Sequence, residues 1–537
     1  MSWTTQSDRA AFQISIPRDG LTTAIGLVAL LALWEIVAGQ AFAGLYVVAP
    51  PSAIVARIAE DWGLFTRALG ATLAEAGWGF LWGNCAAIAL AVFVVALPRT
   101  EKVVQAVALV VFCLPLVATG PVLRVLYGPG WGPQVTLAAL AVYYTTFVPL
   151  VVGLRAVPAD WLDLVRSYGR GRLTALWTVR LRASVPYLVA GLQIAAPAAF
   201  LGAMVGEFTG AERGMGVLSI QTMRSLDIEG TWALATIATA VSIAGYLAVG
   251  GIGRLFSVGA PPVLLASAPP PAPGRRGRAV IAPVATALLA ALVILVLWQG
   301  LMDGFGLSPF FAKRPADIWT FLVTAPEAGA NRAVLFGALG TTLAVAVPGY
   351  VAGLALGAGL AALFCLFPVV ARVATPLAIA LRAIPIVVTA PLVVLALGRG
   401  VAGMLTIVAV MIFFPTLVAC LQGLRQTPGQ VQDLFESFSA NRLTRLWLAQ
   451  VPAMIPALFA AARMAVPAAV LAATVAEWLA TGTGIGNLMA LTSSTSNYAM
   501  LWSCVVVLTL VSVAGYWLVS LVEARALATF APEQVAR

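Results

Sequence analysis

Side chains able to do chemistry are sparse in this chain, which is only 10% charged. Two clusters of them match. LRAVPADWLDLVRSYG begins at Leu154 and LRQTPGQVQDLFESFS at Leu424, and each sets Asp and Arg among Leu, Val, Trp or Phe at helical spacing. Neither holds a nucleophile beside a base or a metal-ligand spacing, so the chemistry on offer is recognition rather than bond making. A second matched pair follows, Glu207 with Gly214-x-Gly216 and Glu477 with Gly484-x-Gly486. A third candidate is unmatched: Arg382 stands inside an apolar run where the first-half position is Phe112. A guanidinium there is costly unless it meets a partner, which suits an anionic substrate; the alternatives are snorkelling to an interface or pairing with a carboxylate such as Glu35 or Glu75.

Several function classes drop out at once. With no histidine in the sequence, the commonest proton shuttle and metal ligand is missing. Cys85, Cys113, Cys365, Cys420 and Cys504 all lie in apolar runs without a metal-site spacing and read as small core residues. The two lysines, Lys102 and Lys313, follow Glu101 and Ala312, so no G-x-x-x-x-G-K-[ST] phosphate loop is present. No cofactor, metal or catalytic residue is expected in this chain.

The elements that must hold these residues are set by composition. The chain is 61% hydrophobic, with a mean hydropathy of +0.98, far above a soluble domain. Continuously apolar runs of about 18 residues or more read as membrane-spanning helices, whereas barrel strands would alternate in polarity. Twelve such runs are expected, near 21–39, 71–97, 103–126, 134–153, 186–206 and 231–253, then 281–301, 341–366, 373–397, 402–423, 456–480 and 500–521. The partner they imply is a lipid bilayer. A net charge of +10 would suit nucleic acid, but the basic residues fall in short loops between helices, so no nucleic-acid partner is expected.

Orientation follows from those arginines. Arg155, Arg166, Arg170, Arg172, Arg180 and Arg182 crowd one loop, which should face the cytoplasm. Arg254, Arg275, Arg276 and Arg278 flank VGAPPVLLASAPPPAPG, an extended Pro/Ala-rich linker on the same side. Glu207, Glu212, Asp227 and Glu229, against Arg213 and Arg224, mark an outer loop. Even helix counts then keep both termini cytoplasmic. The polar N-terminus has no short apolar core with a cleavage site, so no cleavable signal is expected.

The two halves are copies. An ungapped shift of 270 pairs Pro158 with Pro428, Asp163 with Asp433, Arg172 with Arg442, Trp177 with Trp447 and Pro186 with Pro456. It also aligns Thr72 with Thr342 and Glu207 with Glu477, and LPLVATGP from Leu114 with IPIVVTAP from Ile384. The first helices need a shift of 264, which pairs Trp34 with Trp298 and Pro51 with Pro315. The expected organisation is a first repeat over 1–257, a linker over 258–280 and a second repeat over 281–537. Six helices per copy insert both the same way up, about a pseudo-twofold axis along the membrane normal. In each copy the polar stretch reads as two short helices around a tight turn at Gly169 or Ser439. A loop that merely sets topology needs its charge; it does not need the spacing of Leu, Trp, Asp and Pro kept twice. Docking is therefore the stronger reading.

The stretch DLVRSYG, with Pro186 beyond it, resembles the E-A-A-x-x-x-G loop of ABC importer permeases. LRAIPIVVTAPLVVLALGRG from Leu381, VAEWLATGTGIGNLM from Val475 and VGEFTGAERGMGVL from Val205 are similar to segments of the nitrate/sulfonate/taurine-type members. The resemblance implies an all-α membrane protein with the type I ABC importer permease fold, two permease units being fused in one chain. It assigns the ATPase-coupling loop to Asp163, Leu164, Val165, Gly169 and Arg172, and to Asp433, Leu434, Phe435, Ser439 and Arg442. Asp stands for the motif's Glu, bulkier residues for both Ala, and Ser439 for the second Gly. It implies two ABC ATPase subunits carrying ATP and Mg, an extracytoplasmic substrate-binding protein, a bacterial inner membrane, and import of a small, anionic solute by alternating access. Arg382, Glu207 and Glu477 would line the substrate pathway, the two glutamates as anchors or gates rather than ligands. The alternative is a secondary transporter with two parallel six-helix halves, whose loops would need no partner.

Overall fold

The computed structural model describes residues 28, 31–41, 48–128, 130–255, 281–367, 386–427 and 429–530, and every element is helical. A stretch over 31–41, closing in a π turn at Val37–Ala41, precedes α1 (Pro51–Glu60) and α2 (Trp62–Ala96). Then come α3 (Glu101–Phe112), α4 (Leu116–Tyr127), α5 (Gly132–Arg155), α6 (Ala159–Ser167), α7 (Arg172–Glu207), α8 (Met215–Arg224) and α9 (Ile228–Leu255). The second half runs α10 (Ile281–Gly304), α11 (Pro315–Trp319), α12 (Ala328–Leu366), α13 (Ile386–Leu397), α14 (Val401–Arg425), α15 (Gly429–Ser437), α16 (Arg442–Leu479), α17 (Gly484–Ser494) and α18 (Tyr498–Phe530). The duplication is thus one of elements: α6 and α15 begin and end at residues 270 apart.

Among the described residues nine helices are long and apolar enough to cross a membrane, or up to ten if a bent pair is one span. Of the twelve expected spans, 373–397 is described only from 386 and 21–39 only at residue 28 and from 31 onward. The bent pair corrects the expectation of a straight helix over 103–126. α3 and α4 meet at 89°, because Pro115, extended at φ −70° and ψ 112°, has no N–H to give the helix and its ring restricts Leu114.

Small residues let the helices approach, since between apolar helices in lipid the driving force is close packing rather than escape from water. A Cβ at Gly79 or Gly83 of α2 would strike Ala138 and Val142 of α5, and one at Gly349 or Gly353 of α12 would strike Val408 and Ile412 of α14. Each half clamps its first helix by an aromatic pair, Trp34 with Trp232 and Trp298 with Trp502, both with centroids 5.4 Å apart. That explains why Trp34 and Trp298 align although the spacing after them, between Pro51 and Thr72 or Pro315 and Thr342, differs by six residues.

The halves exchange helices. α4 leans onto α16, α17 and α18, α13 leans onto α7, α8 and α9, and α10 packs along α3 of the first half. One buried apolar cluster therefore draws on both copies, with Val142, Met204 and Leu234 from the first and Ile407, Ile412 and Val475 from the second.

Candidate functional site

Both polar stretches form the predicted pair of short helices. Pro158 caps α6 in extended conformation, and the chain reverses at Gly169 (φ +69°), where left-handed backbone costs glycine nothing. Ser439 occupies the same turn at φ +53°, a conformation that costs an L residue roughly 1–2 kcal/mol. Asn441 compensates in part: its side chain accepts the Thr444 N–H at 2.7 Å and so caps the start of α16. Asp163, Leu164, Gly169 and Arg172 are exposed and Val165 half-buried; Asp433, Leu434, Ser439 and Arg442 are exposed and Phe435 half-buried. Asp163 pairs with Arg166 at 2.9 Å on its own helix, whereas Arg445 of the second copy reaches Glu436 at 3.2 Å.

What the loops present is chiefly apolar. Trp161, Leu164, Tyr168, Leu173 and Trp177 in the first, and Leu434, Phe438, Leu443 and Trp447 in the second, are all more than half exposed. Such patches, ringed by charge, mark sites of protein contact. Immediately beyond, each long helix carries a π turn at the same register, Leu176–Arg180 and Leu446–Gln450. Trp177 and Trp447 lie within those turns and are exposed.

The Glu–Gly-x-Gly pairs come together at the opposite end. Glu207, 1% exposed, closes α7; its Oε1 accepts the Thr72 hydroxyl at 2.5 Å and its Oε2 the Gly216 N–H at 2.5 Å. Thr72 Oγ1 in turn accepts the Met215 N–H at 2.8 Å. At Glu477, fully buried, the same clasp recurs with Thr342 (2.7 Å), Gly486 N (2.8 Å) and Ile485 N on Thr342 at 2.9 Å. Each clasp joins α2 or α12, the end of the long helix, and the first free amides of α8 or α17, where a carboxylate is favoured by the helix dipole. Gly214 (φ +131°) and Gly484 (φ +80°) are required because a Cβ there would lie on the carboxylate itself. The hydrogen bonds of each clasp all come from its own half.

Arg382 lies outside the described residues. Of the carboxylates suggested as partners for it, Glu35 accepts from Ser52 through N (3.0 Å) and Oγ (2.5 Å), and Glu75 lies against Glu207. Sequence reading passed over Thr72 and Thr342 as ligands of the clasp, although their alignment at 270 was visible. It also missed Arg463, which meets Glu523 at 3.0 Å between α16 and α18 and lies 5.8 Å from the centre of the Tyr516 ring. The available signal was a charged residue in each of two apolar helices, with the neutral Gln193 and Gly253 at the first-half positions.

A duplicated set of membrane-crossing helices, carrying one amphipathic loop per copy at one end and one helix clasp per copy at the other, defines a transport subunit rather than an enzyme. The chain belongs to the family of binding-protein-dependent transport system inner membrane components, whose model matches twice, over residues 79–258 and 349–527. It is similar to a probable ABC transporter permease protein of Haemophilus influenzae, 28% identical over 220 residues, covering 41% of this chain and 90% of that protein. A formylaminopyrimidine transport permease protein, ThiX, of Halalkalibacterium halodurans is 27% identical over 221 residues, 41% of this chain and 88% of its own length. The putative aliphatic sulfonates transport permease protein SsuC of Bacillus subtilis is 25% identical over 192 residues, 35% of this chain and 69% of its own. The chain is therefore a multi-pass inner membrane ABC permease component, and the secondary-transporter alternative is set aside.

Proposed function

We propose that this chain supplies by itself the whole membrane pathway of an ATP-driven importer, and that it takes up a small solute carrying an anionic group. The observation that carries this is the pair of exposed amphipathic loop helices, α6 and α15, at one end of the two halves. Each would seat one ABC ATPase subunit, on which ATP and Mg bind. The arginine-rich loop supports a cytoplasmic position for that end and for both termini, with the clasp end facing the extracytoplasmic binding protein. The repeats are 1–257 and 281–537, joined by 258–280. Closure of the ATPases on ATP biases the pathway only through contacts that differ between its states. Apolar side chains such as Trp177 and Trp447 in a cleft can carry such a difference. Glu207 and Glu477 act as anchors that keep α8 and α17 fixed to the moving long helices, and Arg382 meets the anionic group. The sulfonate permease among the relatives supports an anionic solute; the pyrimidine permease shows the range that similar chains cover. Native mass spectrometry of the complex, expressed with its neighbouring genes, tests the reading. One copy of this chain with two ATPase chains is expected, and two copies of it per particle, or no ATPase at all, would overturn it.

A further inference from the structure

At the loop end of the second half a cavity of about 230 Å³ opens where the ends of α12 and α14 meet α15 and the π turn of α16. Its polar lining is Cys365, Arg425, Gln432 and Gln450, and its apolar walls are Phe364, Leu421 and Leu424. No carboxylate is among them. The space arises from a difference between the copies: at the 270-shifted positions the first half has Val95 for Cys365, Leu162 for Gln432 and Arg180 for Gln450. Arg180 reaches the Leu154 carbonyl at 3.2 Å, whereas the matching Leu424 carbonyl accepts the Thr427 hydroxyl at 3.0 Å. Gln450, shorter than arginine, is released from that task.

The lining offers donors. Gln450 is 9% exposed, and its Oε1 accepts the Cys365 thiol at 3.1 Å, so the amide is held by its oxygen and its Nε2 meets no acceptor among the described residues. That nitrogen retains accessible surface. A ligand that brings an acceptor to it satisfies a donor the fold leaves unmet. Gln432 Nε2 donates to the Thr427 carbonyl at 3.2 Å, which fixes a second amide at the wall. Arg425 is exposed at the mouth, and Arg445, which also holds Glu436, stands where the first half has Ala175. Both guanidiniums lie close enough to Cys365 for their charges to act on it. Amide donors beside guanidiniums, with no acid, suit an anion with several acceptor oxygens. Leu363 and Phe367, flanking the lining Phe364 and Cys365, are exposed, as suits a helix end lying against acyl chains. Basic pockets between membrane helices hold anionic lipid head groups. The volume falls below the roughly 300–1,000 Å³ of sites that engulf a whole small molecule, and suits a head group whose tails stay outside.

We propose that this cavity binds the phosphate of an anionic phospholipid, received by Gln450 Nε2 and Arg425, and that the head group thereby ties α14, α15 and α16 together behind the second loop. Occupancy is measurable on the chain alone, without ATP, ATPase or solute, so it stands apart from the importer reading. Cys365 reports it. The full chain in nanodiscs of phosphatidylcholine, with or without phosphatidylglycerol, would be treated with iodoacetamide and its alkylation followed by peptide mass spectrometry, the exposed Cys85 serving as internal reference. Phosphatidylglycerol is expected to slow Cys365 about tenfold relative to Cys85, and millimolar inorganic phosphate added to phosphatidylcholine discs is expected to leave it unchanged. Gln450→Arg installs the first-half residue and fills the cavity. Although it adds a positive charge, it should abolish the difference between the lipids, and so should Arg425→Gln. Should Gln450→Arg not give a monodisperse particle, the exposed Arg425→Gln decides alone. Equal Cys365 rates in the two lipids, phosphatidylglycerol protection that survives in a folded variant, or protection by inorganic phosphate, which would make free phosphate the occupant, would overturn the proposal.

Discussion

Removing Glu477 tests the clasp most directly. Glu477→Ala takes the acceptor from the Gly486 N–H, which is buried at the start of α17, and from the Thr342 hydroxyl. The hydroxyl can turn to the Ala338 carbonyl at 3.2 Å, so its loss is small. The amide has no such recourse, and a buried orphan donor costs roughly 1–3 kcal/mol. The space left by the carboxymethyl group adds roughly 1 kcal/mol. The sum, about 2–4 kcal/mol, should speed hydrogen exchange at Ile485 and Gly486 roughly 30- to 700-fold by mass spectrometry on the nanodisc-held chain. Glu477→Gln keeps an acceptor for Gly486, and its amide can donate to the Thr342 oxygen, so it should cost about 1 kcal/mol or less. Glu207→Gln should cost less again, because it also separates two apposed carboxyls, Glu207 and Glu75. Unchanged exchange in Glu477→Ala, or a Gln variant as damaging as the Ala one, would refute the assignment of the carboxylate as the anchor of α17.

Ser439→Gly should relieve the left-handed strain, less the greater freedom it gives the unfolded chain, for a net gain of about 0.5–1 kcal/mol seen as slower exchange at Ala440, whose N–H closes the turn on Phe435. Asp163→Ala with Gly169→Pro should lower substrate-stimulated ATP hydrolysis more than the same change at Asp433 and Ser439, and equal losses would mean that the divergence of the second loop has no energetic consequence. Arg463→Gln should reduce the folded yield sharply, since it strands the 5%-exposed Glu523 at a cost of about 3–5 kcal/mol; adding Glu523→Gln should restore it, and an unrescued double variant would argue against the pair. Arg382→Gln should abolish uptake in proteoliposomes while leaving expression and basal ATP hydrolysis intact, and near-normal transport would reject its contact with an anion.

The duplication, the loop helices and the tight turns were legible because they depend on residues close in sequence: Pro158, Gly169 and the Leu/Trp spacing each act locally. The break after Phe112 was also written there, in Pro115, yet hydropathy averaged over a window cannot register a single missing N–H. The clasp was half legible. Thr72, Glu207 and Gly214-x-Gly216 each aligned with a partner 270 residues on, but nothing local says that a threonine 135 residues upstream hydrogen-bonds the glutamate. Glu75 and Arg463 showed in the sequence only as charges within apolar runs, because the enclosure that makes them notable arises only when α2 meets α5 or α16 meets α18.

Helix exchange between the copies has a genetic consequence. In a homodimer every codon is expressed on both sides of the twofold axis, so a charge useful on one wall is forced onto the other. Here each wall has its own codons, and the Glu75/Val345 and Arg463/Gln193 differences show them drifting apart. Because α4 and α13 each rest on the opposite copy, however, neither can be recombined freely with a half from elsewhere: a swapped half would carry the wrong partner for both crossing helices. Independence of side chains and interdependence of backbones are therefore inherited together.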